Sequence, residues 1–293
     1  DASCVDFARG HGYSVIEPGD LKLGSAIEAG IQALQDQPGC LWILHDDCAP
    51  EPQALQMLAS AAELSPTVAI VGPKLLQWDN EIQIQQLGIT VTATGKPFLL
   101  VEKEYDQGQH DGIHDVLSVS TAGALIRRDI FEELGGFDSN LSLFRDDIDF
   151  GWRARVAGHA VIATTSAVAH HAQASASERR SVDVNGAFLH RPLLLDRRNA
   201  AYVLLANSSW WMIPWLSIQL LASAMARSIG YLLAKLPGYA ADELLAVATL
   251  IVKPAEIVKA RKFRKTKRLV SARVISSYIP PRWSQIRLSA ARV

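Results

Sequence analysis

Two acidic clusters carry most of the chemical potential of this chain: His45-Asp46-Asp47 after one apolar run, and Asp146-Asp147-Ile148-Asp149 after another. Carboxylates this close repel one another and resist burial, so each cluster calls for a cation, a proton or a charged ligand. Metal-assisted group transfer is the chemistry to expect from such a pair of sites.

The elements that carry the clusters must bring them together. Residues 13–16 read as a short strand, 24–34 as a helix with Ala26, Ile27, Gly30, Ile31 and Leu34 on one face, and 40–44 as a fully apolar strand. Residues 51–64 form a second helix, with Pro50 and Pro52 at its start, and 68–71 the strand that follows. Strand, helix and strand in succession predict an α/β fold with a mostly parallel sheet and flanking helices. The cluster at 45–47 then lies where a buried parallel strand ends, the usual place for ligands in open α/β sheets.

Short strands are expected at 82–87, 89–94 and 98–101, before a polar loop at 104–112 rich in turn formers. The sheet resumes at 116–119 and 123–126, and Asp129 caps a short helix over 129–134. A helix over 150–157 opens directly after the second acidic cluster, and strands at 161–164 and 167–169 lead to His170-His171. Arg153, one turn after Asp149, is spaced for an intrahelical ion pair.

Composition sets the limits. With 293 residues, 49% hydrophobic and 20% charged, the chain can bury a sizeable core and is not disordered. A net charge of −1 points to no nucleic-acid partner, although Lys259, Arg261, Lys262, Arg264, Lys265, Lys267 and Arg268 crowd near the end and imply a local anionic surface. Cys4, Cys40 and Cys48 match no metal or disulfide spacing, which fits a reducing compartment. A helical pattern with no strand before it opens the chain, so the fold is expected to be entered partway, without a first strand–helix–strand.

Several motifs in order give a family resemblance: Leu41-Trp-Ile-Leu-His-Asp-Asp-Cys-Ala-Pro50, Val71-Gly-Pro-Lys74, Ser120-Thr-Ala-Gly-Ala-Leu-Ile-Arg-Arg128, Leu134-Gly-Gly-Phe-Asp138, Asp146-Asp-Ile-Asp-Phe-Gly-Trp-Arg153, Gly158-His159 and Ala167-Val-Ala-His-His171. Over roughly residues 13–175 the chain resembles the family 2 glycosyltransferases of GT-A fold, and most of all actinobacterial enzymes in which this domain precedes membrane segments.

The resemblance implies an inverting transfer of a sugar from a nucleotide-diphosphate donor to a glycan or polyprenyl-linked acceptor. It places Asp46 and Asp47, with His45 where many relatives have an acid, at the donor diphosphate, and makes Asp47 the most direct ligand of Mn²⁺ or Mg²⁺. Imidazole at position 45 suits Mn²⁺ better than Mg²⁺. Asp147 falls on the family's catalytic base, with Asp146 supporting it or touching the acceptor, and Trp152 is assigned to the acceptor too. Trp42, Trp78 and Trp152 are otherwise the kind of residue that packs in a core. A histidine after the base completes the metal shell in some relatives, and His170 and His171 both fall there. Motif alignment favours His170, and strand alternation turns only one of the two inward. Lys74 reads as a surface lysine rather than a phosphate contact.

Residues 1–195 are assigned to the catalytic domain, 196–258 to membrane-associated helices and 259–293 to a basic tail. From 210 to 234 Arg227 is the only charge, and Trp210, Trp211 and Trp215 suit a membrane interface. Ile218, Leu221, Ala222, Met225, Ile229, Leu232, Leu233 and Leu236 share one face, with Ser217, Gln219, Ser223, Arg227, Ser228 and Lys235 opposite. That pattern favours a helix lying in the plane of an anionic membrane, at the cytoplasmic face of the plasma membrane. The alternatives are a sugar-nucleotide- or glycan-binding module without turnover, and a membrane scaffold with a vestigial transferase domain.

Overall fold

A computed structural model describes residues 2–17, 23–34, 36–92, 94–141, 144–172, 191–271 and 273–280. Two helices, α1 (Ala2–Gly10) and α2 (Leu23–Gln32), precede strands β1 (Cys40–Trp42) and β2 (Cys48–Pro50). After α3 (Ala54–Ala62) come β3 (Val68–Gln77), β4 (Asn80–Val91), β5 (Pro97–Val101), β6 (Glu104–Tyr105), β7 (Ile113–Asp115) and β8 (Leu125–Arg127). Helices α4 (Arg128–Glu133) and α5 (Asp146–Val156) lead to β9 (Ala160–His171), and α6 (Pro192–Asn207), α7 (Ile213–Leu233), α8 (Pro237–Val252), α9 (Pro254–Lys267) and α10 (Arg273–Tyr278) complete the order.

The sheet is mixed rather than mostly parallel. β3 and β9 run parallel, from Val68 opposite Ala160 to Gln77 opposite His171, whereas β8 lies antiparallel between β1 and β3. Strands β1, β3 and β9 thus share one direction, as expected from strand–helix–strand succession. β8 reverses because it is reached from an irregular segment rather than from a crossover helix. Residues 13–16, expected to be a strand, take no regular structure, and Tyr13 is exposed. β3 is buried along nearly its whole length, as its mostly apolar sequence requires of a strand covered on both faces.

The division expected at residue 195 falls inside α6. Its segment from Ala200 to Ala206 is buried in one core with Ile89 and Val91 of β4 and Ile148, Trp152 and Val156 of α5. Helices α7 and α8 pack on one another and α8 packs on α6, so the C-terminal helices are built onto the sheet domain. Residues 210–233 include a helix long and apolar enough to cross a membrane.

Gly151 lets α5 approach the sheet. A Cβ there would stand 2.6 Å from the Leu117 carbonyl oxygen and 2.7 Å from Ser118 Cβ. Ser118 Oγ in turn donates to the Asp147 carbonyl at 2.7 Å, so this contact sets the height of the acidic pair. Gly151→Val is expected to lower unfolding free energy by about 1–3 kcal/mol in urea titrations, through overpacking.

Candidate active site

Backbone pairing brings the first acidic cluster to the end of β9. Pairing continues past Trp42, with Ile43 N donating to the Ala124 carbonyl and Gly123 N to the Ile43 carbonyl, both at 2.9 Å, and the chain then turns at 46–47. Strand β2 next pairs antiparallel with β9, Cys48 opposite His171 and Ala49 opposite His170. Ala172 N donates to the Asp47 carbonyl at 2.9 Å and locks that register.

His171, and not His170, therefore faces Asp47. Its Nε2 lies 3.1 Å from Asp47 Oδ1, while His170 Nε2, one pleat step away, lies 3.7 Å from Glu51 on the other side. Motif alignment favours His170 because it directly follows Ala167-Val-Ala, but the register of the partner strand decides which of two neighbouring histidines faces Asp47. His45 closes the group: its Nδ1 is 4.0 Å from Asp47 Oδ1, its Nε2 is 2.9 Å from Thr121 Oγ1, and its ring stands 5.7 Å from that of His171. His45, Asp47 and His171 can each offer one ligand atom within 4.8 Å of the others. Asp46 is exposed at the turn.

The hydrogen bonds around His171 bear on what fills this gap. Gln85 Nε2 donates to the His171 carbonyl at 2.8 Å, so Gln85 Oε1 accepts from His171 Nδ1–H at 2.9 Å. That leaves the Nε2 lone pair aimed at a carboxylate, an arrangement relieved by a cation or proton between them. Burial holds the pKa of His171 below its ordinary value, and burial together with His171 does the same for His45. Two neutral imidazoles and one carboxylate suit a divalent ion with borderline preference. Gln85 and Thr121 had no assigned role in the sequence; a glutamine in an alternating strand is notable only once it proves buried.

The second cluster opens α5 close enough that Asp146 acts electrostatically on His45. Phe144 and Arg145, just before it, both take left-handed backbone (φ 66° and 74°), a conformation that costs non-glycine residues of order 1–3 kcal/mol each. Helix α6 holds them there: Arg145 pairs with Asp196 at 2.6 Å and Asn199 donates to the Phe144 carbonyl at 3.3 Å. Burial, then the neighbouring Asp147, pushes the pKa of Asp146 up to about 7, and Asp146 Oδ2 has no hydrogen-bond partner among the described residues. Burial also raises Asp147, against a 2.7 Å bond donated by Ile148 N. Asp147 is partly exposed and Asp146 buried.

Two assignments change. Trp152, placed at the acceptor, is 3% exposed in the core beneath α6, because it lies one helical turn from Ile148 on the inward face; no ring face is left for a sugar. Lys74 is buried and paired with Asp106, tying the 104–112 loop to β3, rather than standing on the surface. Arg153 does pair with Asp149 within α5, at 2.8 Å.

Residues 10–183 match the family model described as glycosyltransferase like family 2. The chain belongs to this family. The O-antigen biosynthesis protein RfbC of Myxococcus xanthus is 32% identical over 142 residues, covering 46% of this chain and 11% of that protein. GalNAc-T7, solved with UDP, GalNAc and Mn²⁺, superposes with a TM-score of 0.51 at 13% identity over 70% of this chain and 38% of its own. The mannosyltransferase PcManGT of Pyrobaculum calidifontis, in complex with GDP-Man and Mn²⁺, is similar at a TM-score of 0.42 and 15% identity, over 91% of this chain and 69% of its own. The fold is that of the GT-A glycosyltransferases.

The Asp146 carboxyl makes a pH signature. Between its ordinary pKa of 3.8 and about 7, the folded chain holds a proton that the unfolded chain releases, so stability falls as pH rises through that window. Asp146→Asn is expected to flatten the fall, by on the order of 1 kcal/mol per pH unit in urea unfolding.

Proposed function

We propose that this family 2 glycosyltransferase is an inverting, metal-dependent enzyme. It moves a hexosyl or deoxyhexosyl unit from a nucleotide-diphosphate sugar to a lipid-linked or cell-envelope glycan at the cytoplasmic face of the plasma membrane. The observation that carries this reading is the meeting of His45, Asp47 and His171 beside Asp146 and Asp147 at one end of the sheet. The O-antigen role named for the Myxococcus relative favours a cell-envelope acceptor, although the chain spans only 11% of that protein.

Asp47, His171 and His45 would hold Mn²⁺ or Mg²⁺, whose charge offsets that building on the departing nucleotide diphosphate. The donor set favours Mn²⁺, in keeping with the ion in the GalNAc-T7 structure. Asp46, at the exposed turn, is available to the rest of the donor. Asp147 takes the proton of the acceptor hydroxyl as its oxygen attacks the anomeric carbon from the side opposite the diphosphate; the new glycosidic bond forms as the sugar–phosphate bond breaks, which inverts that carbon. Asp146, beside it, has its pKa pushed up to about 7, so it carries only part of a second negative charge next to the base near neutral pH, and supports the base or contacts the acceptor.

Asp147→Asn is expected to cut transfer by about 10²–10⁴-fold, measured as donor-dependent release of nucleoside diphosphate with Mn²⁺. Calorimetric binding of donor should persist in the variant. Undiminished turnover would contradict the role of Asp147, and binding without turnover in the unsubstituted chain would favour a sugar-nucleotide-binding module.

A further inference from the structure

Helix α7 is apolar on the face it turns outward as well as on the face it buries. Leu216, Leu220, Ala224 and Ser228 are its buried residues, Ser228 Oγ donates to the Ala240 carbonyl at 3.0 Å, and Arg227 pairs with Glu243 at 2.8 Å. Ser228 and Arg227 thus serve the contact with α8. The opposite face, with Trp215, Ile218, Leu221, Met225, Ile229 and Leu232 between 44% and 61% exposed, carries no charge over about 25 Å of helix. Trp210 and Trp211 extend it at one end, and Ile251 and Val252 of α8 are exposed as well. A continuous apolar face of this size on a folded chain marks a surface that something covers.

The surrounding charge says what. The acids between residues 208 and 268 are Asp242, Glu243 and Glu256. Asp242 and Glu243 are buried and paired with Arg191, and with Arg197 and Arg227, while Glu256 binds Arg198 at 3.0 Å. Arg264 and Arg261 of the basic run also turn inward, Arg264 to Asp138 and Asp149, Arg261 to the carbonyls of Leu205 and Ser208. The charged groups left exposed are cations: Lys235, Lys253, Lys259, Lys262, Lys265 and Arg268. An exposed apolar face on a helical segment whose exposed charges are cations and whose acids are all paired complements an anionic bilayer surface and disfavours a second copy of the same face.

We propose that α7 and α8 dock in the plane of an anionic membrane through this outward face, without α7 crossing it. Crossing is opposed by Glu243, which has no exposed surface and is held at 2.8 Å by both Arg227 and Arg197. Standing α7 upright in lipid would take Arg227 away and leave a buried carboxylate short of a partner. The inference deepens the membrane part of the proposed function and is independent of the transfer chemistry.

The test is flotation of the full chain with phosphatidylcholine vesicles, with and without about 30% phosphatidylglycerol. Bound fraction should be about tenfold higher with the anionic lipid, and should drop by a similar factor in the double variant Ile218→Glu, Met225→Glu, whose new carboxylates are exposed and leave the fold intact by circular dichroism. Tryptophan quenching by lipids brominated near the headgroup should exceed that by lipids brominated at the chain end. Undiminished binding of the double variant, equal binding to neutral vesicles, or stronger quenching at the chain end would overturn the proposal. So would a dimer in sedimentation that the same two carboxylates dissociate. Calorimetric donor binding, unaffected by the variant, keeps this result separate from a failure of the transferase reading.

Discussion

Asp149 is a carboxylate with no exposed surface in the middle of the molecule, and satisfying it organises much of the rest. Arg153 reaches Oδ2 at 2.8 Å from within α5; Oδ1 accepts from Asn207 of α6 at 2.8 Å and from Arg264 of α9 at 2.9 Å. Arg264 also binds Asp138 at 2.6 Å, and Asp138 accepts from the Tyr202 hydroxyl at 2.7 Å. A buried carboxylate deprived of such a partner typically costs about 3–5 kcal/mol, so α5, α6 and α9 are committed to one arrangement. Arg153 also binds the carbonyls of Leu134 and Gly136, fixing the double-glycine turn that leads toward the acidic pair.

This constraint explains how a strained loop can end at the second acidic cluster. The left-handed Phe144 and Arg145 are held by Asn199 and Asp196 of α6, and α6 is held by Asn207 on Asp149. Asp146 and Asp147 then begin a helix whose position is set by Gly151 against Leu117 and Ser118. At the first cluster the positioning is done by strand register, which places Asp47, His171 and His45 around one point without help from the helices.

Much of this was legible in the residues. The apolar run before His45, the acidic cluster at the start of α5 and the ordered motifs between them located both clusters and the fold. What escaped was whatever depends on partners distant in sequence. The choice between His170 and His171 is decided by β2 pairing with β9, the direction of β8 by its irregular approach, and the burial of Trp152 and Lys74 by α6 and by Asp106. The periodicity of α7 showed two faces correctly, but periodicity cannot say which face meets the protein; Glu243 and the other acids of the helical segment decide that.

His45, Asp47 and His171 are proposed as the ligands of one divalent ion at this end of the sheet. Pulsed electron paramagnetic resonance of the full chain loaded with Mn²⁺ and a nucleoside diphosphate reads its ligands directly. The account predicts nitrogen couplings from two imidazoles, one lost in His171→Ala, the other in His45→Ala, and neither in His170→Ala. A spectrum without nitrogen coupling, or one that responds to His170→Ala instead, would contradict it.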